Sequence, residues 1–147
     1  MKSAWQDDTR ASLLARIDSV NESMKGLWGR MTPGAMLAHI AQSLRMATGE
    51  LPCRGKKLPL RYFPLKQLVI YLLPFPKGTP TAPELLENSD ASLDASKQEL
   101  HRLIGVLAAR DAKQPWPVHP AFGNLTTRAW GVLIYRHLDH HLRQFGA

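Results

Sequence analysis

Seven of the eleven prolines in this 147-residue chain fall between Leu51 and Pro83: Pro52, Pro59, Pro64, Pro74, Pro76, Pro80 and Pro83. Proline inside a helix removes a backbone donor and clashes with the preceding turn, so no long regular helix survives at that density. Regular structure must then lie on either side of this stretch. Before it, Leu13, Leu14, Ile17 and Val20 recur at helical spacing and predict a helix over about Asp8 to Val20. Thr32 is a natural N-cap and Pro33 suits the first helical position. Met36, Leu37, Ile40, Leu44 and Met46 follow, and Gly49 makes a stop, so a second helix is predicted over Pro33 to Thr48. Beyond the stretch, Leu93, Leu100, Leu103, Ile104 and Leu107 form the inner stripe of a helix from about Ser89 to Arg110. A loop with Pro115, Pro117, Pro120 and Gly123 precedes a last helix, capped by Thr126 and running to about Phe145. One short apolar helix, Leu65 to Leu73, fits between the prolines.

The pattern specifies an all-α chain: an antiparallel four-helix bundle with a long proline-rich crossover containing a short extra helix. The length suits a single domain over residues 1–147, and 44% hydrophobic residues suffice for one core. So long a connection in a small domain is either a substrate-facing wall or lid, or a plain crossover.

Nineteen basic and twelve acidic residues leave a net charge of +7. The densest basic group, Arg54, Lys56, Lys57, Arg61 and Lys66, lacks the interleaved aromatics of a recognition motif, which disfavours nucleic acid as a partner. No apolar run reaches the ~18 residues of a membrane span, and the N-terminus has no signal-peptide core. The single Cys53 rules out an intramolecular disulfide and reads as an incidental thiol. A cytoplasmic location is the expectation.

Three histidines stand out by helix phase. With His137 at zero on a wheel of ~100° per residue, Trp130 falls at about +20°, Leu133 at about −40° and Ile134 at about +60°. His141 falls at about +40° and Gln144 at about −20° on the same wheel, whereas Arg128, Arg136, Asp139 and Arg143 lie outside this sector. His137 and His141 therefore extend the inward stripe, one turn apart, and imidazoles so spaced can converge on one ion. His140, at about −60°, competes with His141 for that place. On the second helix His39 lies among Met36, Ile40 and Ser43. Three buried imidazoles are costly to desolvate, and one metal ion relieves all three. Such ligands suit zinc, nickel, copper or iron and leave room for water or substrate. Trp28 and Trp130 read as core anchors.

LAHIAQS in the second helix and YRHLDHHLRQF in the last resemble the DinB-like superfamily of metal-binding four-helix bundles. WGRMTPGAMLAH and HPAFGNLT followed by TTRAW resemble one branch of it. The resemblance spans about Trp28 to Gln144. It implies that His39, His137 and His141 bind a divalent metal, zinc or nickel, with water completing the shell. It matches Gln144 to the glutamine that often follows, and it implies a homodimer. Relatives include thiol-dependent transferases or isomerases using mycothiol, bacillithiol or glutathione, such as the mycothiol-dependent maleylpyruvate isomerase. Fold and metal travel with such a motif, whereas the reaction does not.

The leading expectation is a metal-dependent transferase acting with a low-molecular-weight thiol, drawn in by the positive charge. A metal-dependent hydrolase is the alternative, with His140, His119 or Asp139 as base; Asp139 points away on the helix and reads as a surface residue. A non-catalytic metal or small-molecule binder is the third. His140 and Gln144 are the candidate auxiliary residues.

Overall fold

The computed structural model describes residues 1–55, 58–75, 92–111 and 113–147. It contains five α-helices, α1 (Asp7–Ser19), α2 (Pro33–Thr48), α3 (Leu65–Gln67), α4 (Leu93–Ala108) and α5 (Thr127–Gln144), and no strand among the described residues. Among those residues, no helix is long and apolar enough to cross a membrane.

The helix ends follow from side-chain chemistry. Thr32 Oγ1 accepts from the Ala35 N–H, Ser92 Oγ from Ala95 and Thr126 Oγ1 from Ala129, each at 3.2 Å. Gly49, at φ +89°, ends α2 in a left-handed turn open only to a residue without Cβ strain. The expected start of α4 at Ser89 lies outside the described residues. Its cap is Ser92, whose backbone is extended. Helix α1 begins and ends one residue earlier than expected. Val20 is already extended, yet its side chain is fully buried.

Helix α2 packs on α4 and α5, and α1 packs on the same two helices. Leu13, Ile17, Met36, Leu37, Ile40, Leu44, Leu100, Leu103, Leu138 and Leu142 fill the space between them. Burying each such side chain contributes about 1.5–3 kcal/mol. Ion pairs run along the seams. Arg16 meets Asp139 at 2.7 Å, so Asp139 is half-buried between α1 and α5, not the free surface residue expected. Arg45 and Arg102 share Glu99, whose carboxyl they hold down at about 2, chiefly through the Arg102 hydrogen bond.

A second, smaller core joins Ile70, Phe122, Val132 and Leu133. It presses the proline-rich segment and the 113–125 loop onto the outer side of α5. Here the predicted Leu65 to Leu73 helix departs from regularity. After α3 the chain widens into a π-helical turn, Leu68–Leu72, closed by the Leu73 N–H donating to Leu68 O at 2.8 Å. Carbonyls at this end need donors, and Arg136 supplies them. Its guanidinium donates to Val69 O at 2.8 Å, to Ile70 O at 2.6 Å and to Leu73 O. Arg136, outside the inward sector of the wheel, thus pins the proline-rich segment to α5.

Candidate metal centre

Helices α2 and α5 bring His39, His137 and His141 together. Their ring centroids stand 5.1, 4.7 and 4.8 Å apart, nearly an equilateral triangle. One ligating nitrogen from each lies within 4.8 Å of the others. The His39 and His137 Nε2 atoms approach to 3.2 Å. Two nitrogens ~2.1 Å from one tetrahedral ion stand at about that separation.

The backs of two rings are held. Ser43 Oγ donates its proton to Ile40 O at 2.7 Å, so it faces His137 Nδ1, 3.2 Å away, as an acceptor. Gln144 Nε2 donates to the Trp28 carbonyl at 2.7 Å, which turns its Oε1 toward His141 Nδ1 at 3.1 Å. By this network both Nδ1 atoms carry the hydrogen, leaving Nε2 of each as the lone-pair nitrogen, that of His137 facing the His39 Nε2. Burial, and then repulsion between the imidazoles, pushes His137 well below its usual 6.5. Burial and the neighbouring His39 bring His141 down to about 4, against the opposing pull of Gln144. At neutral pH these are unprotonated bases crowded in a poorly solvated space. A divalent cation fits that donor set, and a proton does not.

Gln144 is in reach because residue 29 is glycine. A Cβ there would meet the Gln144 Nε2 at 2.6 Å, and the φ of +78° disfavours any other residue. Gly29→Ala is expected to dislodge the amide and weaken metal affinity about 10–100-fold, the usual cost of losing an orienting partner. Calorimetric titration of metal into the variant checks this, and an unchanged affinity would remove Gln144 from the orienting role. Nothing in the sequence linked residue 29 to residue 144.

His140 stands beside the trio, its ring 5.1 Å from His141, 5.7 Å from Trp28 and 6.0 Å from Phe75. His119 Nδ1 accepts from the Ala121 and Phe122 N–H groups at 3.1 and 3.2 Å, and burial lowers it to about 4. It braces the loop before α5. Trp130 is buried as expected, stacked on Trp116, whereas Trp28 is half-buried and faces the site.

The imidazoles form part of the wall of a cavity of about 1260 Å³. Leu58, Leu60, Val69, Leu73 and Phe75 line it too, so residues 58–75 of the proline-rich segment wall the site.

Comparison with known proteins matches a model of the DinB superfamily to residues 7–145, nearly the whole chain. No curated protein and no solved structure matches it.

Proposed function

We propose that this chain, which belongs to the DinB superfamily, holds one zinc or nickel ion with His39, His137 and His141 and acts as a transferase for a low-molecular-weight thiol. The observation that carries this reading is that the three imidazoles stand together in a cavity wall, two of them with Nδ1 held so that Nε2 is the lone-pair nitrogen. An ion held there would supply Lewis acidity that lowers the pKa of a thiol or water bound to it. Ser43 and Gln144 orient the ligands. His140, in the same wall, is placed to take up a proton released in the cavity.

Hydrolysis ranks lower because two of its candidate bases are committed elsewhere. Asp139 pairs with Arg16, and His119 Nδ1 is occupied by backbone donors. A purely structural metal site ranks lower too: such sites are closed by four protein ligands, and three are gathered among the described residues. The helix pairings support an antiparallel four-helix bundle of α1, α2, α4 and α5 in a single domain over residues 1–147.

The test is thiol consumption. Metal-loaded protein with glutathione or bacillithiol and a haloalkyl electrophile should deplete free thiol at least about tenfold above the uncatalysed rate, a modest contribution for one activating group. His39→Ala should return the rate to background. If several thiols are neither bound nor consumed by the loaded protein, the transferase reading fails.

A further inference from the structure

The cavity beside the imidazoles is far larger than a thiol sulfur needs, and most of its lining is apolar. At about 1260 Å³ it exceeds the ~300–1,000 Å³ of ordinary small-molecule sites. Among the described residues, Arg30 is the single lysine, arginine or carboxylate side chain in its lining, and Arg30 is exposed. Ser43 and Gln144, also in the lining, are engaged with His137 and His141. Of the other polar side chains in the lining, Thr32 caps α2 and His119 Nδ1 accepts from the Ala121 and Phe122 N–H groups. Most of the remaining surface is hydrocarbon, with Leu44, Leu58, Leu60, Leu133 and Leu138. A polar or multiply charged molecule placed against that surface would lose its hydration with no donor or acceptor in return, at several kcal/mol per buried polar group. An apolar body gains about fourfold in affinity for each methylene it buries.

The wall is also held in place. Arg136 ties Val69, Ile70 and Leu73 to α5, and its guanidinium lies 5.0 Å from the Phe75 ring, itself 6.4 Å from His137. The apolar surface therefore meets the imidazoles in a set geometry, which is what binding an extended molecule end-on requires.

We infer that the second substrate, the acceptor of the thiol, is a lipophilic molecule whose one polar reactive end sits at the imidazoles and whose aliphatic or aromatic body fills the cavity. This rests on the transferase reading for the word acceptor. The lipophilic cavity stands apart from it and is tested apart.

The probes are hexanoate, octanoate, decanoate and dodecanoate, equal in charge and different in chain length, titrated into metal-free and zinc-loaded protein and followed by tryptophan fluorescence, since Trp28 and Trp130 line the cavity. Affinity is expected to rise about fourfold per methylene in both forms, with the zinc-loaded form tighter by a constant factor. Leu60→Asp, at a half-buried wall position, should flatten the dependence, and Leu133→Trp should cut it off at shorter chains. A chain-length dependence present without any effect of zinc supports the lipophilic cavity while removing the metal from it. Equal affinity for all four acids in wild-type protein overturns the inference.

Discussion

His137→Ala is expected to empty the metal site while leaving the fold intact. Bound metal should fall from about one ion per chain to less than about a tenth of that. Losing a ligand should weaken affinity beyond the ~100-fold upper range for losing an orienting group. His137 is the central member of the trio, since its Nε2 meets His39 and its Nδ1 is held by Ser43. The helices that carry it are packed by Leu138, Leu142, Leu37 and Ile40, which do not depend on the ion. Metal analysis and far-ultraviolet circular dichroism on the same sample separate the two effects. His141→Ala should behave like His137→Ala, and His140→Ala should keep its metal. Full metal content in both His137→Ala and His141→Ala would end the three-imidazole reading. Retention in His141→Ala with loss in His140→Ala would exchange the two ligands.

Metal-free protein should lose stability steeply on mild acidification. In the native state His141 and His119 titrate at about 4 and His137 well below 6.5, all because burial disfavours the imidazolium. In the unfolded chain each takes its ordinary value near 6.5. Their native pKa values are depressed, so below pH 6.5 the unfolded chain takes up protons that the native state resists. Stability is therefore full above pH 6.5 and falls as pH drops toward 4, by up to about 1.4 kcal/mol per pH unit for each histidine. The urea midpoint of metal-free protein should drop markedly between pH 7 and pH 4.5. Bound metal holds the imidazoles unprotonated and should shift that loss to lower pH. A midpoint unchanged across this range would mean that the imidazoles are better solvated than their burial indicates.

Much of this architecture is local information. Thr32 with Pro33, and Thr126 before TRAW, are capping signals confined to one turn, and both helices begin where those residues place them. The phase of His137 and His141 follows from helix geometry alone, which is why the last helix could be read as bearing two inward imidazoles. Other features depend on what lies opposite. Val132 falls at about −140° from His137 on the wheel, outside the inward sector. It is buried nonetheless, because Ile70 and Phe122 arrive from other parts of the chain to cover it. Arg136 lies outside that sector too. Its partners are carbonyls of a π-helical turn that no pattern of residue types foretells.

The sequence by itself determined the all-helical character, the capped ends of α2 and α5, and one inward face holding His137 and His141, because hydrophobic period and capping act within a few residues. Its resemblance to the DinB-like superfamily, carried by LAHIAQS and YRHLDHHLRQF, agrees with the family match. Only the tertiary structure decided that His39 meets that face across α2 and α5, with His141 in the trio and His140 beside it. It also decided that Gln144 is reached past Gly29, and that residues 58–75 wall a large, largely apolar cavity. These are distances between residues up to 116 positions apart, set by how the faces pack and not by the order of residues along the chain.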